Sequence, residues 1–343
     1  MNHGDKTIEL YKKKINLGIQ ILRACMCFFI VILHIFDLSN INNNSFTSFI
    51  FRTRQYYVPT FFFISFYFSF VTLNSKNISK IKDRFLRIIL PYIVWPLFIW
   101  IRDIIINYKN IKFDKNIFRA IFLQLLIGFD FYRIFWFQFD LIMITFIFTI
   151  IFLVFDKYAL LILKLFGLLF YSINKNYEEK LELYKQNGSI RPLIQSYIHS
   201  LTGLCFGSLF TKNKFINKKY ILFALLIPSI IIAIKYEILI RYSKLLKIII
   251  IDIVVVCLFL LFSLIPFELI KNNIIKKAIK QISSYTGGIY YIHYLVKKIF
   301  GRYFNIFNAG NLKSCVINYF VSYFICFIGS TSFQKNKIKY LFL

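Results

Sequence analysis

The sequence predicts an all-α, polytopic integral membrane protein with about ten transmembrane helices and both termini in the cytosol. Of its 343 residues, 58% are hydrophobic, and the mean hydropathy is +0.64, far more apolar than a soluble domain requires. Apolar runs recur along the whole chain and are separated by short segments rich in Lys, Asn and Asp. We therefore expect a single transmembrane domain over residues 1–343.

The individual spans are predicted from length, because a helix needs about 17 to 25 residues to cross about 30 Å of hydrocarbon. The segments that meet this criterion lie near residues 15–37, 56–73, 86–107, 134–155, 158–173, 194–211, 219–236, 246–265, 283–300 and 314–331. The first lacks a small-residue cleavage site and is expected to be retained in the protein. Residues 118–130 are too short and too polar to span, so an interfacial or re-entrant segment is expected there.

Loop charge predicts the orientation. With the N terminus in the cytosol, the cytosolic side holds more Lys and Arg, clustered at residues 12–14, 76–87, 212–219, 271–280 and 335–339. This bias follows the positive-inside rule, and such loops can anchor helix ends at an anionic membrane face. Although the net charge is +28, the chain has no basic stripe or recognition module, so we expect lipids and no nucleic acid as partners.

The six cysteines lie in apolar segments and have no paired spacing. They are therefore predicted to be buried free thiols, and no metal site is expected.

Two polar residues interrupt the first span, "INLGIQILRACMCFFIVILHIF". Arg23 and His34 are eleven positions apart, which brings them to within about 20° on one helix face and about 16 Å apart along the axis. An arginine in mid-helix costs about 2.5 to 3.5 kcal/mol on insertion, so it indicates a functional site unless it only snorkels to the interface.

A second basic pair precedes the third span. Arg84 and Arg87 are one helical turn apart, just before "PY", at the predicted cytosolic mouth. Two guanidinium groups on one face suit a phosphate-rich ligand, because each can bind phosphate through two parallel hydrogen bonds. Ordinary anchoring of the helix end is the alternative interpretation.

Further polar candidates lie within later spans. Asp140 follows Trp136 at a helix entrance, and "SSYTGGIYYIHYLV" holds Tyr285 and His293. We regard Asp140, Tyr285 and His293 as candidates for the path of an acceptor substrate. A histidine that is simply satisfied inside the helix bundle is the alternative for His293.

Taken in chain order, these segments resemble the acyltransferase 3 family, whose members transfer acyl groups, commonly acetyl, to sugars of surface glycans. Arg23 and His34 match its first-helix pattern of a basic residue, ten residues and His, and Arg84 and Arg87 match its Arg-x-x-Arg pattern before Pro-Tyr. "FFFISFY" is similar to its Phe-Phe-x-Ile-Ser-Gly-Tyr stretch, with Phe66 where Gly is expected. "FWFQFDL", "SLTGLCFGSLF" and "TGGIYYIHYLV" are similar to later family segments, so the resemblance covers nearly the whole chain.

The resemblance implies that His34 is the catalytic residue, that Arg23 lies with it in the membrane site, and that Arg84 and Arg87 act on the donor side. A sugar hydroxyl needs a base to take its proton, and the ordinary pKa of histidine, about 6.5, suits His34 to that task. The hypothesis is that acetyl-CoA, as donor substrate, places its phosphates at the cytosolic arginines and its thioester arm along Arg23, which holds the arm or stabilises the oxyanion. No permanently bound cofactor is implied.

The implied acceptor is a hydroxyl of a cell-surface polysaccharide or lipid-linked sugar, and the implied location is a bacterial cytoplasmic membrane. A carrier or flippase for lipid-linked glycans, or a glycan polymerase, would have a similar composition. Carriers often consist of paired halves with interrupted helices, and no such repeat is evident in the sequence. A polymerase is expected to have a larger outer loop than this chain offers.

Overall fold

The computed structural model describes residues 3–36, 45–107, 135–180, 190–212, 244–265, 270–305, 311–334 and 336–343. These residues are helical and include no strand. They belong to two compact units that are interleaved along the chain. The first unit comprises Met1–Phe61, Asn213–Thr331 and Phe342–Leu343, and the second comprises Phe62–Lys212 and Ser332–Leu341.

Eleven α-helices lie in the described part of the chain. They are α1 (His3–Ile35), α2 (Ser45–Thr53), α3 (Tyr57–Asn74), α4 (Ile78–Asn107), α5 (Trp136–Phe155), α6 (Ala159–Lys180), α7 (Ile190–Lys212), α8 (Lys244–Ser263), α9 (Asn273–Ser284), α10 (Thr286–Tyr303) and α11 (Leu312–Ser332).

Five stretches of these helices are long and apolar enough to cross a membrane. They are Leu17–Ile35, Phe46–Asn74, Ile78–Arg102, Trp136–Leu169 and Leu312–Ser332, with Ile248–Ser263 as a shorter apolar helix. The all-α prediction is thus confirmed for the described residues, and the chain has the helices of a membrane protein. The count of ten spans and the orientation stay predictions, and segments 118–130 and 219–236 lie outside the described residues.

In the first unit, α1 packs against α8, α9 and α10. Gly18 of α1 lies directly on the carbonyl group of Phe262, near the end of α8, where a Cβ atom would overlap the backbone. On α11, the Tyr319 hydroxyl donates to the Ala24 carbonyl at 3.5 Å. The six cysteines are free, as predicted. Cys27, Cys315 and Cys326 are also buried, whereas the prediction of burial is wrong for Cys25, Cys205 and Cys257, which are partly exposed.

The predicted span 283–300 is not one helix. Helix α9 ends at Ser284 and α10 begins at Thr286, whose hydroxyl donates to the Ser283 carbonyl at 3.0 Å. Such a local bond from a threonine side chain competes with helical pairing. The backbone of Leu343 also approaches this joint so closely that a Cβ at Gly287 would lie 2.7 Å from its carbonyl oxygen.

In the second unit, two glycines let α7 approach α3. Gly203 and Gly207 are four residues apart on α7, the small-xxx-small spacing of close helix pairs in membranes. A Cβ at Gly203 would lie 2.8 Å from the Cα of Phe63, and one at Gly207 would lie 2.6 Å from the carbonyl oxygen of Tyr67. Gly203 packs against Phe63, and Gly207 packs against Tyr67. Because the residue numbers increase together on both helices, α3 and α7 run parallel.

Helices α5 and α6 pack against each other across the 3-10 turn Asp156–Tyr158, so the chain reverses there. Asp156 has a φ of 45° and forms an ion pair of 3.0 Å with Lys76, in the turn between α3 and α4. These two turns therefore share one end of the second unit.

Candidate active site

One face of α1 carries the polar residues that the sequence singled out. Arg23 Nη2 donates to Thr286 Oγ1 at 3.0 Å, at the joint between α9 and α10. One turn further along α1, the Cys27 thiol contacts the Thr286 carbonyl oxygen at 3.5 Å. Thr286 is only 1% exposed, so Arg23 and Cys27 make a buried polar contact between α1 and α10.

His34 lies three turns beyond Arg23 on the same face of α1, and its side chain is exposed. Its ring centre lies 5.3 Å from that of His293 on α10, which is fully buried. Lys297 Nζ, one turn beyond His293, donates to the carbonyl oxygens of His34 and Ile35 at 3.4 Å each. A cation at the C-terminal end of a helix is favourable, because the last carbonyl groups there lack helical partners.

These contacts define how α1 and α10 are aligned. The pairs Arg23 with Thr286 and His34 with Lys297 are each separated by 263 residues in sequence. Equal separations mean that the two helices run parallel and keep one register over three turns. The structure thus brings Arg23, His34 and His293 to one helix interface.

Tyr285 also lies near this interface but is largely buried, at 7% exposure. Its hydroxyl accepts a hydrogen bond from Ser330 Oγ of α11 at 2.8 Å. Tyr285 and His293 are therefore both packed inside the first unit, whereas His34 is open. Their assignment to an acceptor path stays a prediction.

The two arginines of α4 lie in the second unit and have different surroundings. Arg84 Nη2 donates to Ser65 Oγ at 3.2 Å and to Thr145 Oγ1 at 3.4 Å. Its guanidinium carbon lies 5.1 Å from the ring centre of Phe66, which is fully buried. The large side chain at position 66, where the resembled family has Gly, therefore packs against Arg84 through a cation–π contact.

Arg87, in contrast, is exposed. Its guanidinium carbon lies 5.2 Å from the ring centre of Tyr340. Of the predicted donor-side pair, Arg87 is thus the residue better placed to meet a ligand, and Arg84 is held by protein groups.

Asp140 is buried in the second unit, at 2% exposure. Its Oδ2 accepts a hydrogen bond of 2.7 Å from Ser196 Oγ of α7. A buried carboxylate needs such partners, because an unsatisfied one is costly. The contact gives Asp140 a role in joining α5 to α7 beside its predicted place on an acceptor path.

Sequence reasoning missed three residues of these sites. Thr286 and Lys297 lie seven positions before and four after His293, on the same face of α10, and this spacing was the available signal. Ser196 gave no signal. Within the described residues, no group of three or more His, Cys, Asp or Glu side chains is arranged to hold a metal ion.

The model of the acyltransferase 3 family, described as an acyltransferase domain, matches residues 16–333. No curated protein and no solved structure showed a significant match to the chain.

Proposed function

Because the chain belongs to the acyltransferase 3 family, we propose that it is a membrane O-acyltransferase that moves an acetyl group from acetyl-CoA to a hydroxyl of a cell-surface polysaccharide or lipid-linked sugar. Its location on this proposal is the bacterial cytoplasmic membrane. The observation that carries the proposal is the exposed imidazole of His34 at the end of α1, set against the buried imidazole of His293.

The proposed reaction needs one base. A neutral nitrogen of His34 takes the proton of the acceptor hydroxyl while the hydroxyl oxygen forms a bond to the carbonyl carbon of the thioester. The carbon–sulfur bond then breaks, and the proton passes from His34 to the leaving sulfur. The products are an O-acetyl ester and free coenzyme A, so the step needs no further reactant.

Arg23 is assigned to the donor and not to the oxyanion. It lies about 16 Å from His34 along α1, and both side chains lean toward the N terminus of the helix, so this separation is kept. A group at the oxyanion must lie about 3 Å from the reacting oxygen. A guanidinium has five N–H donors, so the contact with Thr286 is compatible with a second contact to a remote part of the donor.

Arg87 is proposed to bind the phosphate groups of the donor. Replacing Arg87 with alanine is expected to raise KM for acetyl-CoA about tenfold with little change in kcat, because the contact is made equally in the ground state and the transition state. The measurement is a set of initial rates over a range of acetyl-CoA concentrations.

Lys82→Ala is the matched control for Arg87→Ala, since Lys82 is an exposed cation on the same helix. It should leave KM nearly unchanged. If both variants raise KM equally, Arg87 contributes only general positive charge and has no specific contact with the donor.

The test of the proposed function is the covalent transfer of label. Membranes containing the protein are incubated with [¹⁴C-acetyl]-CoA, and the glycan and lipid-sugar fractions are counted before and after mild alkali. An O-acetyl ester should appear only with the protein and should be released by alkali, whereas an N-acetyl group would resist it. Absence of label in both fractions, with the protein folded, would reject the transferase and favour the carrier or flippase.

A further inference from the structure

The ring nitrogen Nε2 of His293 is buried without a hydrogen-bond partner among the described residues. Nδ1 of the same ring lies 3.2 Å from the carbonyl oxygen of Ile289, one turn earlier on α10. Because a carbonyl oxygen only accepts, Nδ1 must carry the hydrogen in this contact, and Nε2 is left with its lone pair.

A buried acceptor without a hydrogen-bond partner is destabilising, so its retention calls for a physical reason. The His34 ring is at 5.3 Å and the Tyr290 ring at 6.0 Å from the His293 ring, measured between centres. A hydrogen bond of about 2.9 Å between two imidazole nitrogens separates the ring centres by about 5 Å. His34 is therefore within the range from which its N–H group can reach Nε2 after a small rotation.

The alignment of α1 and α10 holds the two imidazoles in that range. Arg23 contacts Thr286 on one side of the pair, and Lys297 contacts the end of α1 on the other. A shift of either helix along its axis would break both contacts. The register of α1 and α10 thus keeps positions 34 and 293 side by side.

We propose that His293 is a positioning residue that accepts the N–H hydrogen bond of His34 and thereby fixes the tautomer and orientation of the His34 ring. The second nitrogen of His34, on its exposed side, then carries the lone pair that takes the proton from the acceptor hydroxyl. In many active sites a third residue, often a carboxylate, holds the histidine that acts as the base. Here the neutral imidazole of His293 takes the place of that carboxylate. This inference rests on the proposed function of His34 as the base.

The experiment compares three substitutions at position 293. His293→Gln keeps an acceptor oxygen near the position of Nε2, whereas His293→Asn places its amide near Nδ1 and His293→Leu has no acceptor. We expect His293→Leu and His293→Asn to lower kcat about 100-fold, while KM for acetyl-CoA stays within about twofold of the parent value. The His293→Gln variant should keep at least a tenth of the parent kcat. His199→Leu, a buried histidine of the second unit, is the matched control and should stay near the parent rate.

A second readout is independent of acyl transfer. Diethyl pyrocarbonate modifies a neutral, accessible imidazole. The folded protein is modified in detergent, and the extent at His34 is then measured by mass spectrometry of the peptide that contains it. Loss of the acceptor should slow modification of His34 about fivefold in the Leu and Asn variants, because the ring loses the partner that raises the electron density of its free nitrogen. The Gln variant should react at nearly the parent rate.

The outcomes separate the two proposals. If the parent protein transfers acetyl but the Leu and Asn variants keep its kcat and its His34 reactivity, the positioning role of His293 is wrong. If the parent transfers nothing while His34 reactivity still depends on the acceptor at 293, the hydrogen bond stands and the proposed reaction falls. Should the Leu variant fail to fold, the comparison of Gln with Asn decides the question.

Discussion

Replacing His34 with alanine is expected to lower acetyl transfer about 1000-fold. General base catalysis by a positioned histidine contributes about 10² to 10⁴ in rate, and neither water nor a distant residue can take the hydroxyl proton as efficiently. The measurement is the initial rate of O-acetyl formation from labelled acetyl-CoA at saturating donor, with the amount of folded protein matched to the parent.

Two controls make this result specific. His199→Ala removes another histidine and should leave the rate nearly unchanged, because His199 is buried in the second unit. Added imidazole should partly restore the His34→Ala variant, since the His34 side chain is exposed and its removal opens a space that reaches the surface. A His34→Ala protein that transfers acetyl at the parent rate would eliminate His34 as the base.

Replacing Gly203 with leucine is expected to lower the thermal unfolding midpoint by about 5 °C or more. Even a Cβ atom at this position would lie 2.9 Å from the carbonyl carbon of Phe63 and closer still to its oxygen, so α7 must move away from α3. Backbone atoms cannot rotate out of the way as a flexible side chain can. Unfolding can be followed in detergent by the loss of the helical circular dichroism signal on heating, because both units are helical.

The matched control for Gly203 is Gly167 on α6, tested as alanine at both positions. At Gly167 a Cβ would meet only side-chain carbons of Tyr197 and Leu201 at 3.4 Å, which is close to ordinary contact. Gly167→Ala should therefore be neutral or slightly stabilising, since alanine favours a helix by up to about 1 kcal/mol over glycine, and Gly203→Ala should destabilise. Equal midpoints for the two alanine variants would mean that α3 and α7 do not pack this closely.

Much of the local structure was predictable from the sequence. Spans near 15–37 and 314–331 are helices because apolar segments of that length satisfy their backbone groups internally, and this depends only on neighbouring residues. The shared face of Arg23 and His34 followed from helical periodicity in the same way. The break at Tyr285 was missed, since it depends on the Thr286 hydroxyl and on the approach of a distant backbone segment.

The sequence by itself determined that the chain is helical, that it carries the helices of a membrane protein, and that Arg23 and His34 share one face of α1. Only the tertiary structure decided that His293 faces His34, that Lys297 contacts the end of α1, and that Arg84 is held while Arg87 stays exposed. The physical reason is the range of the interactions. Helix formation follows local hydrogen bonding and hydropathy, whereas the partner of each polar side chain depends on contacts between helices that lie far apart in sequence and approach through small residues such as Gly18.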